Sequence, residues 1–296
     1  MLRNRWVRTV LVILLVVLVA TGYILYRADG KKHFDAERAY QDILTQMAFG
    51  PRTPGSDAHT QAVDWMVGEL KKAGWGVEVQ ELEYQGQPVR NVIAKRGSGT
   101  PWIILGAHYD SRIMADQDHD PILSQKPVPG ADDGASGVAV LMELARALPE
   151  NASRASQIWL VFFDSEDQGD LPGWDWIYGS RAFVDHLNGQ PDGMVLLDMI
   201  GDADLNIYQE KNSDAELTHQ IWETAADLGY SKQFISTQKF RMLDDHIPFI
   251  EKGIPAVDLI DFDYPYWHTS QDTADKVSAD SLEIVGQTLL VWLTTP

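Results

Sequence analysis

Residues 157–167 read QIWLVFFDSED, a strand-length apolar run that passes straight into Asp164-Ser165-Glu166-Asp167. Seven residues this apolar suit a strand buried on both faces, as in a parallel sheet. The pattern recurs on either side. Residues 102–107 (WIILGA) lead into His108-Tyr109-Asp110. Residues 194–200 form an apolar run interrupted near its end by Asp198, and residues 256–262 lead on to Trp267-His268. Helical spacing of apolar residues marks 34–48, 58–73, 134–148, 177–187, 215–228 and 279–293, and two further strands are expected at 77–84 and 89–95. Strands alternating with helices predict an α/β three-layer sandwich, its mostly parallel, mixed central sheet covered by helices on both faces. In such sheets chemistry collects beyond the carboxyl ends of the strands. Four expected strands deliver acids or histidines there.

The chain has 296 residues, 24 Lys+Arg against 43 Asp+Glu, and a formal net charge of −19. That surplus of acid argues against a nucleic-acid binder, which needs a basic face. Cysteine is absent. There is therefore no disulfide framework, no thiol nucleophile and no cysteine metal site. Residues 9–26 (TVLVILLVVLVATGYILY) carry no charge. At ~1.5 Å per residue they span about 27 Å, enough for a bilayer core. Arg3, Arg5 and Arg8 precede them; Arg27, Lys31 and Lys32 follow. The expectation is a transmembrane anchor over residues 1–32, with the rest of the chain extracytoplasmic. The rival is a cleaved signal peptide at Ala20-Thr21-Gly22, which would leave a secreted protein. Residues 33–296, a single expected domain, carry a net −24.

Taken singly, the polar residues have ordinary explanations. Either acid of Asp132-Asp133-Gly134-Ala135-Ser136-Gly137 could cap a helix. Glu166-Asp167 could be a solvated loop, and Trp174, Trp176 and Trp267 core packing. Residues 112–129, with Asp116, Asp118 and Asp120, read as a solvated loop. Together, histidines and carboxylates without cysteine suit a zinc site. The order His108-Tyr109-Asp110, Asp132-Asp133-Gly134, Glu166-Asp167, Leu197-Asp198-Met199-Ile200-Gly201, Asp244-Asp245-His246-Ile247-Pro248-Phe249 and Trp267-His268-Thr269 resembles the zinc-dependent M28 peptidase clan. Within that clan it is most similar to the animal-type glutaminyl cyclases and their bacterial relatives. Tyr178-Gly179-Ser180-Arg181 and Pro51-Arg52-Thr53-Pro54-Gly55-Ser56 add to the likeness.

The resemblance implies a zinc ion held by Asp133, Asp167 and His268, with Glu166 as general acid/base and Asp198 and Asp244 as acids beside it. Trp267 matches a pocket residue, and Trp174 is a second candidate. Asp167 stands where many relatives have Glu, a carboxylate shorter by one methylene. The implied substrate is a peptide or protein N-terminus, cyclised from glutamine to pyroglutamate with release of ammonia. The alternative is an aminopeptidase with two zinc ions, His108 and Asp198 supplying ligands to the second. A carboxylate at Asp244, close to Asp198, favours the one-zinc cyclase, because adjacent acids resist joint ionisation. A binding module without activity is a third reading.

Overall fold

The computed structural model describes residues 33–295, and the chain divides into Met1–His33 and Phe34–Pro296. The expected anchor lies outside the described residues. Among those described, no helix is long and apolar enough to cross a membrane.

Helices α1 (Ala36–Phe49) and α2 (Asp57–Lys72) are each started by a side-chain cap: Asp35 accepts from the Arg38 N–H and Ser56 from the His59 N–H. Gly50 and Gly55, at φ +92° and +80°, break the chain between them. Strands β1 (Gly76–Tyr84) and β2 (Gln87–Gly97) form a hairpin whose two turn residues, Gln85 and Gly86, both have positive φ. That geometry matches the right-handed twist of the strands.

The four apolar runs become β3 (Trp102–His108), β4 (Gln157–Phe163), β5 (Gly193–Asp198) and β8 (Ala256–Ile260). They lie side by side and parallel in the order β4-β3-β5-β8, and β2 and β1 extend the sheet antiparallel beyond β4. The result is a mixed central sheet. Its two faces are separately packed. Ile103, Leu105 and Ala107 of β3 join a cluster that includes Ile43, Met66, Val138, Ile221 and Leu289, from α1, α2, α3 (Ala135–Ala147), α5 (Ala215–Asp227) and α7 (Ala279–Thr294). Trp102 and Ile104 face a second cluster with Phe183 of α4 (Tyr178–Asp185) and Phe249 of α6 (Ile247–Glu251). Each such buried side chain stabilises by roughly 1.5–3 kcal/mol, so both faces hold the sheet flat against its helices. Gly137 lets α3 lie close to the sheet: a Cβ there would fall 2.4 Å from the Leu197 carbonyl oxygen.

Three short elements carry no signal strong enough to expect. Strands β6 (Ile207–Gln209) and β7 (Phe234–Gln238) pair in parallel as a separate small sheet, and α6 is barely more than one turn. The expected strand over 194–200 ends sooner, at Asp198. There Met199 turns to φ +45°, and the next two N–H groups bind Ser136 Oγ and Asp132 Oδ1 instead of a neighbouring strand.

Candidate active site

His108 ends β3, Asp164–Asp167 follow β4, Asp198 ends β5 and His268 lies in the loop after β8. Since these strands are parallel neighbours, all four groups meet at one sheet edge. Asp133 comes to the same place from the loop before α3. Neither Asp132 nor Asp133 caps that helix; its cap is Gly134, without a side-chain bond.

His108 Nε2 stands 3.1 Å from Asp133 Oδ1 and 3.1 Å from Asp198 Oδ1. His268 Nε2 lies 2.7 Å from Asp167 Oδ1 and 3.7 Å from Asp133 Oδ2. Asp133 thus turns one oxygen to each histidine. Two donor groups result, Asp133/Asp167/His268 and His108/Asp133/Asp198, each with its ligand atoms within 4.8 Å of one another and fully buried. Asp133 Oδ2 and Asp167 Oδ2 have no hydrogen-bond partner. Buried, unpaired carboxylate oxygens beside the Nε2 atoms of two histidines, a set of nitrogen and oxygen only, fit a bound zinc ion.

Two further buried acids hold the ligand backbone. Asp110 accepts from the Glu166 and Asp167 N–H groups at 3.1 and 3.3 Å and from Gln168 Nε2 at 2.9 Å. Asp272 does the same for the Asp132 and Asp133 N–H groups, at 2.9 and 3.2 Å, while Tyr264 donates its hydroxyl to it. Arg52, fully buried, donates to the Tyr109, Pro129 and Gly130 carbonyls and so ties α2's approach loop to both ligand loops. Ser165, Met199 and His268 hold left-handed backbone at φ +53°, +45° and +55°. Such strain costs about 1–3 kcal/mol per residue and gathers where surrounding structure fixes a side chain for use.

The loop 112–129 corrects one expectation. Asp120 is exposed, as a solvated loop requires, but Asp116 grips Arg112 with both oxygens and faces His268 Nδ1 at 3.5 Å. It stands where a carboxylate would orient that histidine for binding a metal. Arg112, itself buried, also donates to the Asp167 and Gly169 carbonyls. Asp118 accepts from Ser270, two residues past His268.

Over the donors opens a cavity of about 190 Å³, with Asp133, Glu166, Asp167, Asp198 and Asp244 at its base. Its walls are Trp176, Trp267, Met199, Met242, Leu243, Ile260 and Phe262. Trp267 stacks on His268 with ring centroids 3.7 Å apart, and Trp176 is near-parallel to the same ring at 6.0 Å. Trp174 stands elsewhere, against Tyr178 beside Leu82, Tyr84 and Val89. The signal for Trp176 is Gly169, where a Cβ would fall 2.0 Å from the indole.

Burial first, and then the charges of Asp167, Asp244 and Asp245, push the Glu166 carboxyl well above the ordinary range, against the opposing pull of His108. Asp244 is raised by burial and by Asp198 and Asp245. Behind it lies Asp258, completely buried within β8 and raised by burial, by Asp244 and by Asp198. Acids packed this densely cannot all ionise; protons are shared among them.

Peptidase family M28 matches residues 91–293. The chain belongs to that family. Among proteins of known structure, a Zn-dependent exopeptidase from Parabacteroides distasonis superposes with a TM-score of 0.85 and 33% identity, over 90% of this chain and all of that one. The glutaminyl cyclase of Tannerella forsythia gives 0.83 and 35%, over 89% of this chain and 99% of that one. By sequence, a glutaminyl-peptide cyclotransferase-like protein of Bos taurus is 26% identical over 283 residues, covering 82% of this chain and 71% of that protein.

The titrations of this M28 site carry a prediction for the metal-free protein. Burial pushes Asp245, Asp261 and Asp272 up to about 7 from an ordinary 3.8. Asp167 and Asp116 raise His268 to about 9 against the cost of burial. Between about pH 4 and 7 the folded state therefore holds protons that the unfolded chain has released, and stability falls as pH rises. Thermal melts of chelator-treated protein should show a midpoint that drops from pH 5 to pH 8. A flat or rising midpoint contradicts these assignments.

Proposed function

We propose that this protein is a zinc-dependent glutaminyl-peptide cyclotransferase with one zinc per chain, held by Asp133, Asp167 and His268. The observation that carries the reading is the small cavity lined by Trp176, Trp267 and Phe262 together with Glu166, Asp198 and Asp244, beside that donor set. The names of its relatives support it, the Tannerella forsythia glutaminyl cyclase among them.

In the reaction, the N-terminal amine of a glutaminyl peptide attacks its own side-chain amide carbon, a C–N bond forms, and ammonia departs. Both reactants belong to one residue, so the pocket's task is to fold that residue into an attacking geometry. Trp267, Trp176 and Phe262 wall the side chain in and exclude water. A zinc ion at this site supplies Lewis-acid polarisation of the amide oxygen and stabilises its developing charge. Glu166 Oε accepts the proton of the attacking amine and returns it to the leaving nitrogen, so that the group ends as it began. Burial gives that carboxyl a raised affinity for the proton it holds between the two steps. Asp198 and Asp244 keep the neighbouring protons in place.

One observation favours a second reading. Asp133 offers its other oxygen to a second buried donor group, His108 and Asp198, as a two-zinc aminopeptidase needs. A single pair of assays separates the two. Purified, zinc-loaded protein should release ammonia from a glutaminyl dipeptide, leave a blocked N-terminus and scarcely release leucine from leucyl peptides. Rapid leucine release without pyroglutamate would hand the site to the aminopeptidase.

A further inference from the structure

Glu210 follows β6, outside the donor set and the cavity, yet it is 2% exposed and ionised, since His246 and nearby N–H groups hold its carboxyl below the ordinary range against the cost of burial. Its Oε2 accepts from the Asn212 N–H at 2.7 Å, the Ser213 N–H at 2.8 Å and the Ser213 hydroxyl at 3.0 Å. Its Oε1 accepts from the Met242 N–H at 2.9 Å. His246 Nε2 stands 3.4 Å from Oε2. The opposite side of the Met242 peptide is held as well: Asn212 Nδ2 donates to the Met242 carbonyl at 2.9 Å. Met242, Leu243 and Asp244 are consecutive residues of the cavity lining, and Leu243, half exposed, forms its rim. One buried carboxylate thus joins the turn after β6 to the wall over the candidate site.

We propose that Glu210 is the positioning residue for the Met242–Asp244 wall, setting how tightly the pocket closes on the substrate's glutamine side chain. The inference rests on the cyclotransferase reading. Glu210 touches neither substrate nor the donor set, so it acts through Met242 and its loss is felt in binding. Charge-assisted hydrogen bonds are the strong ones, and an anion is the only side chain of this size that accepts on both oxygens at once. In Glu210→Gln the amide oxygen keeps the side with three donors, from Asn212 and Ser213, so the amide nitrogen faces the Met242 N–H and that bond is lost.

The test uses zinc-loaded full-length protein. Glu210→Gln should raise KM for a glutaminyl dipeptide by about tenfold, the scale of one charge-assisted hydrogen bond, while kcat changes less than about threefold. Zinc per chain should be unchanged, and exchange of the Met242 amide hydrogen should quicken. Asn212→Ala, which removes only the second clamp, should move KM the same way by less, and serves if Glu210→Gln does not fold. Ser213→Ala loosens the turn without touching Met242 and should leave KM unchanged even if it lowers the melting temperature. An unchanged KM with unchanged Met242 exchange in Glu210→Gln and Asn212→Ala overturns the proposal, as does a KM rise in Ser213→Ala equal to theirs. If the wild type releases no ammonia at all, the cyclotransferase reading falls, while amide exchange at Met242 still decides whether Glu210 holds the wall.

Discussion

Glu166→Gln should abolish most ammonia release, by about 10²–10⁴-fold, while zinc content and fold stay those of the wild type. The amide nearly matches the carboxyl in shape, and the backbone N–H of residue 166 keeps its bond to Asp110. What disappears is the ability to take up a proton. The side chain lies in the cavity lining, where burial and the charges of Asp167, Asp244 and Asp245 keep its proton affinity high. Steady-state rates and metal analysis on the same preparation decide the matter. Near-normal turnover at full zinc occupancy would remove Glu166 from the chemistry.

Asp133→Ala should empty the site at the strand ends and reduce activity to background, whether that site holds one ion or two. Both donor groups there contain Asp133, one through each oxygen, whereas a third buried group, Asp244, His246 and Asp258, does not. His108→Ala is the contrasting variant. With a single zinc on Asp133, Asp167 and His268, it should retain the metal; loss of half the zinc would establish a dinuclear site. Asp133→Asn, which keeps the shape and reduces the buried negative charge, guards against misfolding as the cause. Zinc retained at wild-type affinity in both Asp133 variants would refute the ligand assignment.

The strands and the donor set were legible because they share a local pattern. An apolar run that ends in Asp, Glu or His declares both a buried strand and the place where its chemistry stands, and β3, β4 and β5 each obey it. Asp258 had a comparable signal, a lone acid inside the apolar AVDLI of β8, but it lay at mid-strand, not at the end. The cradling acids Asp110 and Asp272 were not legible. Their partners are backbone N–H groups 56 and 140 residues away, and nothing in the local sequence names a partner brought by the fold. The pocket wall was hidden for the same reason. Trp176, Met242 and Phe262 converge from three loops, so choosing between Trp174 and Trp176 needed the Gly169 contact. Strands β6 and β7 run only three and five residues, too short for a period-two signal to rise above its surroundings.

Asp167 and His268, which face each other at 2.7 Å, stand 101 residues apart in the chain. A ribosome makes the chain from its N-terminus, and early segments begin to pair before late ones exist. Asp133 and Asp167 emerge together with β3 and β4, but the imidazole that completes their set follows β8, after nearly the whole sheet has been synthesised. A chain cut short after β5 pairs its first strands yet lacks the complete set, so the donor set forms only when β8 and the loop after it have joined the sheet.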